Sequence, residues 1–465
     1  MSRKKETEDT KEIQDTHTKQ EDKYSVMTTS PVKKLVARLA VPTIFSMLVT
    51  SFYNMADTFF VGDLGTSATG AVGVVFSVMA IIQAIGFFFG HGSGNYISRR
   101  LGAKKEDEAL AMASTGFFIA FFAGVILAVV GLLFIRPLAR GLGSTETILP
   151  YAVDYLKYIL CGTPFIIGGC VMNNQLRFQG NAFYGMIGLV SGAVLNIGLD
   201  PLLIFVFDMG VSGAGLATML SQIISFVILF VICQIKSIVP ILPRNFKPSP
   251  KIFLEIFRGG FPSLCRQGMA SIATICLNHK AGIYGDAAIA AMSIVTRVTM
   301  FAASAVVGFG QGFQPVCGFN YGAGKYKRVR EAYWFSVKVC MVFLAVVAVI
   351  GLIFAPEIIT IFREDDLKVI EIGTLALRFQ CLVMPMMGFM MPSNMMVQTI
   401  GKAAKASVLA MGRQFLFYLP TLFLLEPVLG LLGIQLTQSI ADILTLTLTI
   451  PIVRSVLKEF AEAEK

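Results

Sequence analysis

Long apolar runs recur along almost the whole 465-residue chain and restrict what it can fold into. Each run is about 20 residues or longer, enough for an α-helix to cross a hydrocarbon core of roughly 30 Å. A transmembrane β-barrel is excluded, because its strands would be about ten residues long with alternating polarity. Only 15% of the residues are charged, against about 25% in soluble domains, so a soluble enzyme, a disordered protein and a secreted disulfide scaffold are excluded as well.

Twelve apolar segments predict an all-α, polytopic membrane protein with twelve transmembrane helices. Their approximate bounds are 36–62, 68–98, 108–135, 152–178, 184–207, 211–235, 257–284, 287–317, 331–355, 371–397, 404–427 and 430–454. Residues 1–30 are polar and of mixed charge, so we expect a disordered cytoplasmic tail there. Residues 455–465 form a second, short cytoplasmic tail.

The two halves of the sequence repeat each other. A shift of 220 residues, or 221 near the fourth segment, aligns mostly glycines and prolines. The coinciding pairs include Pro42 with Pro262, Gly62 with Gly282, Gly90 with Gly310, Gly102 with Gly322, Pro164 with Pro385, Gly180 with Gly401 and Gly210 with Gly430. These residue types are conformationally demanding, so chance explains the matches poorly.

Six segments in each half give both halves the same orientation in the membrane. Parallel repeats of this kind are related by an axis along the membrane normal, and transporters place substrate at the interface between them. The sequence therefore predicts two pseudo-symmetric six-helix lobes around a central cleft. The N-lobe covers 31–235, a cytoplasmic linker covers 236–256, and the C-lobe covers 257–454.

Lysine and arginine decide the orientation of a polytopic protein. They concentrate in the loops that follow even-numbered segments, namely the second, sixth and eighth. The short loops after the first, fifth and seventh segments contain Asp63, Asp208 and Asp286 instead. Both termini are therefore expected in the cytoplasm. The net charge of +10 has the same origin. Nucleic-acid binding is not indicated, because compact patches of basic and aromatic residues are absent.

Ionisable residues inside membrane helices are costly and indicate function by default. Asp57 lies in the first segment, Asn196 and Asp200 share one face of the fifth, and Thr218 lies in the sixth. Asp57, Asp200 and Thr218 would lie roughly 8–10 Å below the outer surface, at about 1.5 Å per residue. Pro201 is expected to kink the fifth helix and free a backbone carbonyl beside Asp200.

Together these groups can hold a proton or a sodium ion, and burial would favour the protonated form of at least one carboxyl. The alternative is that Asp57 caps a helix or reaches the outer interface, while Asn196 only ties helices together. The second half does not copy this site, since Asp57 aligns with Leu277 and Asp200 with Pro420 or Thr421.

Other polar positions leave more than one interpretation open. Asp442 in the last segment is a second ion or substrate site, or the partner of a nearby cation. The roles of Arg297, His279 and Lys280 are undetermined. The 8 cysteines are scattered and only three histidines occur, which argues against a disulfide framework and a metal site other than possible sodium. No phosphate-binding loop is present, so no cofactor is expected.

A methionine cluster in the tenth segment is typical of an adaptable apolar pocket. We assign Met387 and Met391 to a substrate cleft on this basis, and we place Tyr53, Asn54 and Asp442 in the same cleft. The alternative is that single methionines serve only in packing or face lipid.

The sequence resembles the multidrug and toxic compound extrusion (MATE) transporters over about residues 30–455, closest to the bacterial DinF-like and MepA-like branches. The residues that carry the resemblance are Pro42, Ala56-Asp57-Thr58, Val61-Gly62-Asp63-Leu64-Gly65, Arg100-Leu101-Gly102-Ala103, Asn320-Tyr321-Gly322-Ala323-Gly324, Asn196-Ile197-Gly198-Leu199-Asp200-Pro201 and Gly213-Ala214-Gly215-Leu216-Ala217-Thr218.

The resemblance implies a monomeric antiporter of the bacterial inner membrane. It would export cationic or amphipathic compounds against an inward flow of protons or sodium. It also implies that Asp57, Asn196, Asp200 and Thr218 form the cation site. A lipid-linked oligosaccharide flippase of related fold is an alternative, which would need a broad, strongly basic cleft. A channel is an alternative of another class, and its flux would ignore an opposing cation gradient.

Overall fold

A computed structural model describes residues 21–62, 66–362 and 366–464, with the side chains of residues 54–62 and 66–69 left out of the description. Helices dominate this part of the chain. They are α1 (21–29), α2 (Val32–Gly62), α3 (Thr66–Gly102), α4 (Glu106–Leu133), α5 (Ile135–Gly141), α6 (Leu149–Phe178), α7 (Ala182–Pro201), α8 (Gly210–Lys236), α9 (Pro250–Gly282), α10 (Asp286–Gly322), α11 (Tyr326–Ile353), α12 (Ala355–Phe362), α13 (Leu367–Thr399), α14 (Ala403–Met411), α15 (Tyr418–Leu429) and α16 (Leu431–Ala463).

Twelve long spans make up the bundle. Two of them are composite, because a π-helical turn at Leu202–Val206 continues α7 and another at Gly412–Leu416 joins α14 to α15. Eleven spans in the described part of the chain are long and apolar enough to cross a membrane. The remaining span, α9, has the length but carries Arg258, Arg266 and Lys280.

The spans form two lobes of matching construction. In the N-lobe, α6 packs against α3, α4 and α8; in the C-lobe, the corresponding helix α13 packs against α10, α11 and α16. The short helices α5 and α12 begin 220 residues apart, at Ile135 and Ala355. Positive φ also recurs, at +78° in Gly180 and +87° in Gly401. The structure thus confirms the all-helical, two-lobed fold expected from the sequence, and eleven of the twelve predicted transmembrane helices meet the length and hydropathy of a membrane span in the described residues.

The two lobes meet from one end of the bundle to about its middle. We call this end the basic end and define it by Arg99, Arg100, Lys104, Lys325 and Arg328. Along this contact α2 packs on α10, and α3 packs on α9 and α10; we call the contact between the lobes the seam.

Hydrogen bonds cross the seam between α2 and α10. The Thr43 hydroxyl donates to the Gly308 carbonyl at 2.6 Å, and the Ser51 and Ser304 hydroxyl oxygens lie 3.2 Å apart.

Two glycines related by the repeat bring α3 and α10 into backbone contact at the basic end. A Cβ on Gly102 would overlap the carbonyl oxygen of Phe319, and a Cβ on Gly322 would overlap that of Arg99. Any larger residue at either position would push the helices apart. This close approach accounts for the Gly-Ala pairs that the repeat places at 102–103 and 322–323.

The helix α1 was not expected from the sequence, which predicts a disordered tail over 1–30. Residues 21–29 are helical, because Met27 is buried and both lobes bind the segment. Lys23 Nζ donates to Gly180 O and to Asn181 Oδ1, both at 2.8 Å, in the N-lobe. Residues 1–20 of the predicted tail lie outside the described residues.

The C-lobe holds the other end of this segment through backbone carbonyls. Lys325 Nζ donates to Thr28 O at 3.1 Å, and Arg328 Nη2 donates to Ser30 O at 2.6 Å. Segment 21–30 therefore bridges the lobes at the basic end.

The seventh span also begins earlier than predicted, at Pro250 rather than near residue 257. Ser249 caps it by accepting a hydrogen bond from the Ile252 amide at 3.3 Å, and Pro250 occupies the first turn. Both features start a helix in polar sequence, where hydropathy gives no signal.

Candidate functional site

Small residues set the distance between α7 and α8 in the N-lobe. A Cβ on Gly192 would lie 2.8 Å from the Ser225 Cβ, and the Ser225 hydroxyl donates to Gly188 O at 2.8 Å. Close packing of this kind lets polar side chains on facing helix surfaces reach each other inside a membrane. One turn further along α7, it aligns Asn196 with Thr218 of α8.

The structure brings together three of the four residues assigned to the cation site. Asn196 Nδ2 lies 3.4 Å from Asp200 Oδ1 and 3.3 Å from Thr218 Oγ1. All three residues are buried, with Asp200 at 0% exposure. The four-residue spacing of Asn196 and Asp200 places both on one face of α7, as the sequence predicts.

Pro201 marks a change of helix type directly after Asp200. The chain passes from α-helix to the π-helical turn Leu202–Val206, whose end is closed by a 3.0 Å bond from the Phe207 amide to Leu202 O. π-Helical turns are wider than α-helix and frequent at functional sites. The predicted weak point of the fifth span is therefore a local widening next to the carboxylate.

Two of the site residues assigned in the first segment lie beyond the described side chains. The side chains of Asp57 and Asn54, assigned to the cation site and the substrate cleft, lie outside the described residues. Tyr53, also assigned to the cleft, is buried in α2 at 9% exposure.

The described atoms of the N-lobe site that can coordinate a cation are oxygens: those of a carboxylate, a hydroxyl and an amide carbonyl. Such a set suits a proton or a hard cation such as sodium. In this arrangement the Asn196 amide N–H groups face the Asp200 and Thr218 oxygens, where a cation would also be attracted. No group of three or more His, Cys, Asp or Glu side chains that could hold a metal occurs in the described ranges.

The C-lobe acid Asp442 has a different environment, because its charge is balanced by Arg413. Arg413 Nε lies 2.7 Å from Asp442 Oδ1. Gln438 Nε2 donates to Oδ1 at 2.9 Å and Gln380 Nε2 to Oδ2 at 3.2 Å. Of the interpretations left open by the sequence, the structure supports a partner for a nearby cation.

Sequence reasoning missed Arg413, although a signal existed. Arg413 interrupts the apolar segment 404–427 just as Asp442 interrupts the next one. It sits in the π-helical turn Gly412–Leu416, and its Nη2 also lies 3.3 Å from the sulfur of Met387.

Most of the methionine cluster is packed inside the C-lobe. Met387 is 1% exposed and belongs to the hydrophobic core of that lobe, whereas Met391 is partly buried against it. In this conformation Met387 contacts protein on all sides, so its role in a substrate cleft stays a prediction.

Three further basic residues differ in their exposure and in their partners. Lys280 Nζ pairs with Glu426 Oε2 at 2.8 Å, and the Tyr284 hydroxyl donates to Glu426 Oε1 at 3.1 Å. His279 and Arg297 are exposed on α9 and α10.

Comparison with known proteins agrees with the repeat in the sequence. The model of the MatE family matches residues 42–202 and 262–424, once in each lobe. The Multidrug export protein MepA of Staphylococcus aureus (strain NCTC 8325 / PS 47) is 30% identical over 421 residues, covering 89% of this chain and 91% of the relative. The protein of the same name from Staphylococcus saprophyticus is 28% identical over 417 residues, with the same shares covered.

Solved structures extend the agreement to the fold. A crystal structure of MATE in complex with MaL6 has a TM-score of 0.90 and 27% identity, covering 94% of this chain and 99% of that one. An outward-facing multidrug resistance MATE family transporter of the MOP superfamily has a TM-score of 0.89 and 28% identity, covering 94% and 98%. The repeat, the two lobes and these matches lead to one conclusion: the chain belongs to the MatE family of multidrug and toxic compound extrusion transporters.

Proposed function

We propose that this protein is a secondary active multidrug exporter, which moves cationic or amphipathic organic compounds out of the cell against an inward flow of protons or sodium. The observation that carries the proposal is the buried Asn196–Asp200–Thr218 cluster in one lobe of a two-lobed membrane protein. Membership of the MatE family and the multidrug export proteins among its relatives support it.

The basic end is the cytoplasmic end in this proposal, which places both termini in the cytoplasm of a bacterium and the protein in its inner membrane. Since the lobes are joined at the basic end, the structure corresponds to a state closed to the cytoplasm. The compound would bind between the lobes when the seam is open, and leave on the opposite side after the seam closes.

Energy coupling takes place at Asp200, with Asp57 as a second carboxylate. A cation arriving from outside competes with the Asn196 amide for Asp200 and neutralises its charge. The neutral acid no longer needs its polar surroundings, so the adjoining Pro201 and π-helical turn can rearrange. A cation that binds one conformation better than the other shifts the balance between them, which is all that coupling requires.

The C-lobe does not share this role. Arg413 already supplies a positive charge to Asp442, so an external cation has no net charge to compensate there. We therefore place the coupling in the N-lobe. The pairing of Asp442 with Arg413 supports a structural role for this acid, and its assignment to the substrate cleft stays a prediction.

The cellular test is ethidium export in bacteria that lack their own exporters. Asp200→Asn removes the titratable charge at nearly constant shape and should abolish resistance and export at normal expression. Asp208→Asn is the matched control, because Asp208 is exposed in the loop after the same span and should retain export. Undiminished export by Asp200→Asn would overturn the assignment.

A further inference from the structure

Arginine and histidine side chains of both lobes influence one another near the seam, and no described carboxylate acts on them. Arg177 at the end of α6 is 2% exposed, and its Nη2 lies 3.3 Å from His91 Nε2 of α3. The same nitrogen donates to Asn174 Oδ1. Arg177 Nε and Nη1 have no hydrogen-bond acceptor among the described residues. Three guanidinium N–H groups are therefore buried without a partner.

His91 is the neutral member of this group. Its Nδ1 lies 3.1 Å from the Phe87 carbonyl, which can only accept, so Nδ1 carries the proton. Nε2 is then the acceptor for Arg177. His91 orients the guanidinium and leaves its positive charge uncompensated.

The C-lobe adds a second positive charge. Arg266 of α9 is partly buried, and its charge acts on both Arg177 and His91. Its Nη1 lies at a long hydrogen-bond distance, 3.5 Å, from Asn394 Oδ1. No aspartate or glutamate of the described residues acts on either guanidinium. The charge of Arg266 on the C-lobe thus acts on the buried guanidinium of Arg177 in the N-lobe.

This arrangement is costly unless an anion joins it. A buried charge without a counter-charge is strongly unfavourable, and unpaired arginines inside membrane proteins mark ligand pathways. The guanidinium fork matches carboxylate and phosphate oxygens. We propose that His91, Arg177 and Arg266 form a binding site for an oxyanion, a carboxylate or phosphate carried by an amphipathic molecule, which enters when the seam opens and is held as it closes.

The site is separate from the cation cluster, which lies on α7 and α8. It rests on the proposed function only in requiring that the seam opens. If the bound oxyanion belongs to a transported molecule, the substrate class includes zwitterionic and anionic amphiphiles. If it belongs to the membrane, the site binds an anionic lipid headgroup. Both sources present the same oxyanion, so the experiment must distinguish them.

Binding is measured on the full-length protein in nanodiscs, independently of transport. In discs of phosphatidylcholine alone, anisotropy reports the binding of fluorescein. A transported organic anion predicts that fluorescein binds wild type and binds Arg177→Gln and Arg266→Gln at least tenfold more weakly. A headgroup source predicts instead that, in discs containing phosphatidylglycerol, native mass spectrometry finds this lipid retained by wild type and lost from both variants.

Controls separate charge, fold and transport. Arg297→Gln removes an exposed charge from α10 and should bind both probes like wild type. Arg177→Lys keeps the charge but not the fork and should be intermediate; Arg266→Gln serves if Arg177→Gln does not fold. The inference is overturned if neither probe distinguishes wild type from the folded variants. Ethidium export assayed in parallel tests the proposed function separately, because anion binding requires the seam to open but does not require export.

Discussion

Arg413 Nε lies 2.7 Å from Asp442 Oδ1, so the buried acid of the C-lobe has a cation supplied by the chain itself. The N-lobe acid Asp200 accepts a hydrogen bond from the neutral amide of Asn196. In the proposed mechanism the two lobes therefore use a buried carboxylate differently. The C-lobe pairs Asp442 with its own arginine, whereas the N-lobe exchanges a cation at Asp200.

The Arg413–Asp442 pair predicts an asymmetry between single and double replacement. Asp442→Ala leaves a buried guanidinium uncompensated and should cost about 3–5 kcal/mol of stability, while an apolar replacement of both partners costs far less. Thermal unfolding in detergent measures Asp442→Ala, Arg413→Met and the double variant Arg413→Met/Asp442→Leu. A double variant as unstable as the sum of its single changes would show that the pair is not a self-contained unit.

Closure of the seam predicts a strong effect of a single methyl group. Gly102→Ala would drive a Cβ into the Phe319 carbonyl, so the seam should open and ethidium export should fall several-fold. Hydrogen exchange at the amides of residues 97–102 should rise at the same time. Gly73→Ala on the same helix meets no atom within 4 Å and is the control. Equal exchange in the two variants contradicts the proposed close contact.

The bridging helix α1 predicts a pH dependence that comes from Lys23. Burial, and secondarily the charge of Arg38, lowers the pKa of Lys23 from its ordinary 10.5 to about 8. The docked lysine therefore loses its proton at lower pH than the undocked one, and docking grows more favourable as pH rises from about 8 toward 10.5. Below pH 8 both forms are charged and docking does not change. The neutral amine keeps two N–H donors, enough for Gly180 and Asn181.

Hydrogen exchange over residues 21–29, corrected for intrinsic rates, should therefore slow between pH 7 and 9.5. Lys23→Met removes the titrating group and should abolish this change, whereas Lys33→Gln, at an exposed position of α2, should preserve it. A pH response that survives Lys23→Met assigns the effect to another group.

Thr218 predicts a smaller effect on ion affinity. Thr218→Val removes an acceptor 3.3 Å from Asn196 Nδ2 at constant shape. The loss of one such hydrogen bond is worth about 1 kcal/mol, or roughly fivefold in the ion concentration for half-maximal export. Thr447→Val removes an exposed hydroxyl on α16 and should leave that concentration unchanged. An unchanged midpoint in Thr218→Val removes Thr218 from the cation site.

Local patterns predicted the fold and much of the candidate site. The length of the apolar segments predicted the membrane spans, and the positions of glycines and prolines revealed the repeat. The four-residue helical spacing placed Asn196 beside Asp200. These relationships lie within one helix or follow from the repeat.

Partners distant in sequence could not be predicted in this way. Arg413 and Asp442 are 29 residues apart, and Arg177 and His91 are 86 apart. Their contacts depend on how helices pack across a lobe. The helix α1 was not predicted, because its polar composition resembles a disordered tail. It is ordered by the packing of Met27 and by the contacts of Lys23, Lys325 and Arg328.

The most direct test of the central claim is ethidium export from proteoliposomes under imposed gradients of protons or sodium. The account predicts that an inward gradient of one of these ions accelerates export by wild type and by Asp208→Asn, and that Asp200→Asn does not respond. Export by wild type at the same rate without a gradient, as a channel would show, or a full response in Asp200→Asn, would contradict it.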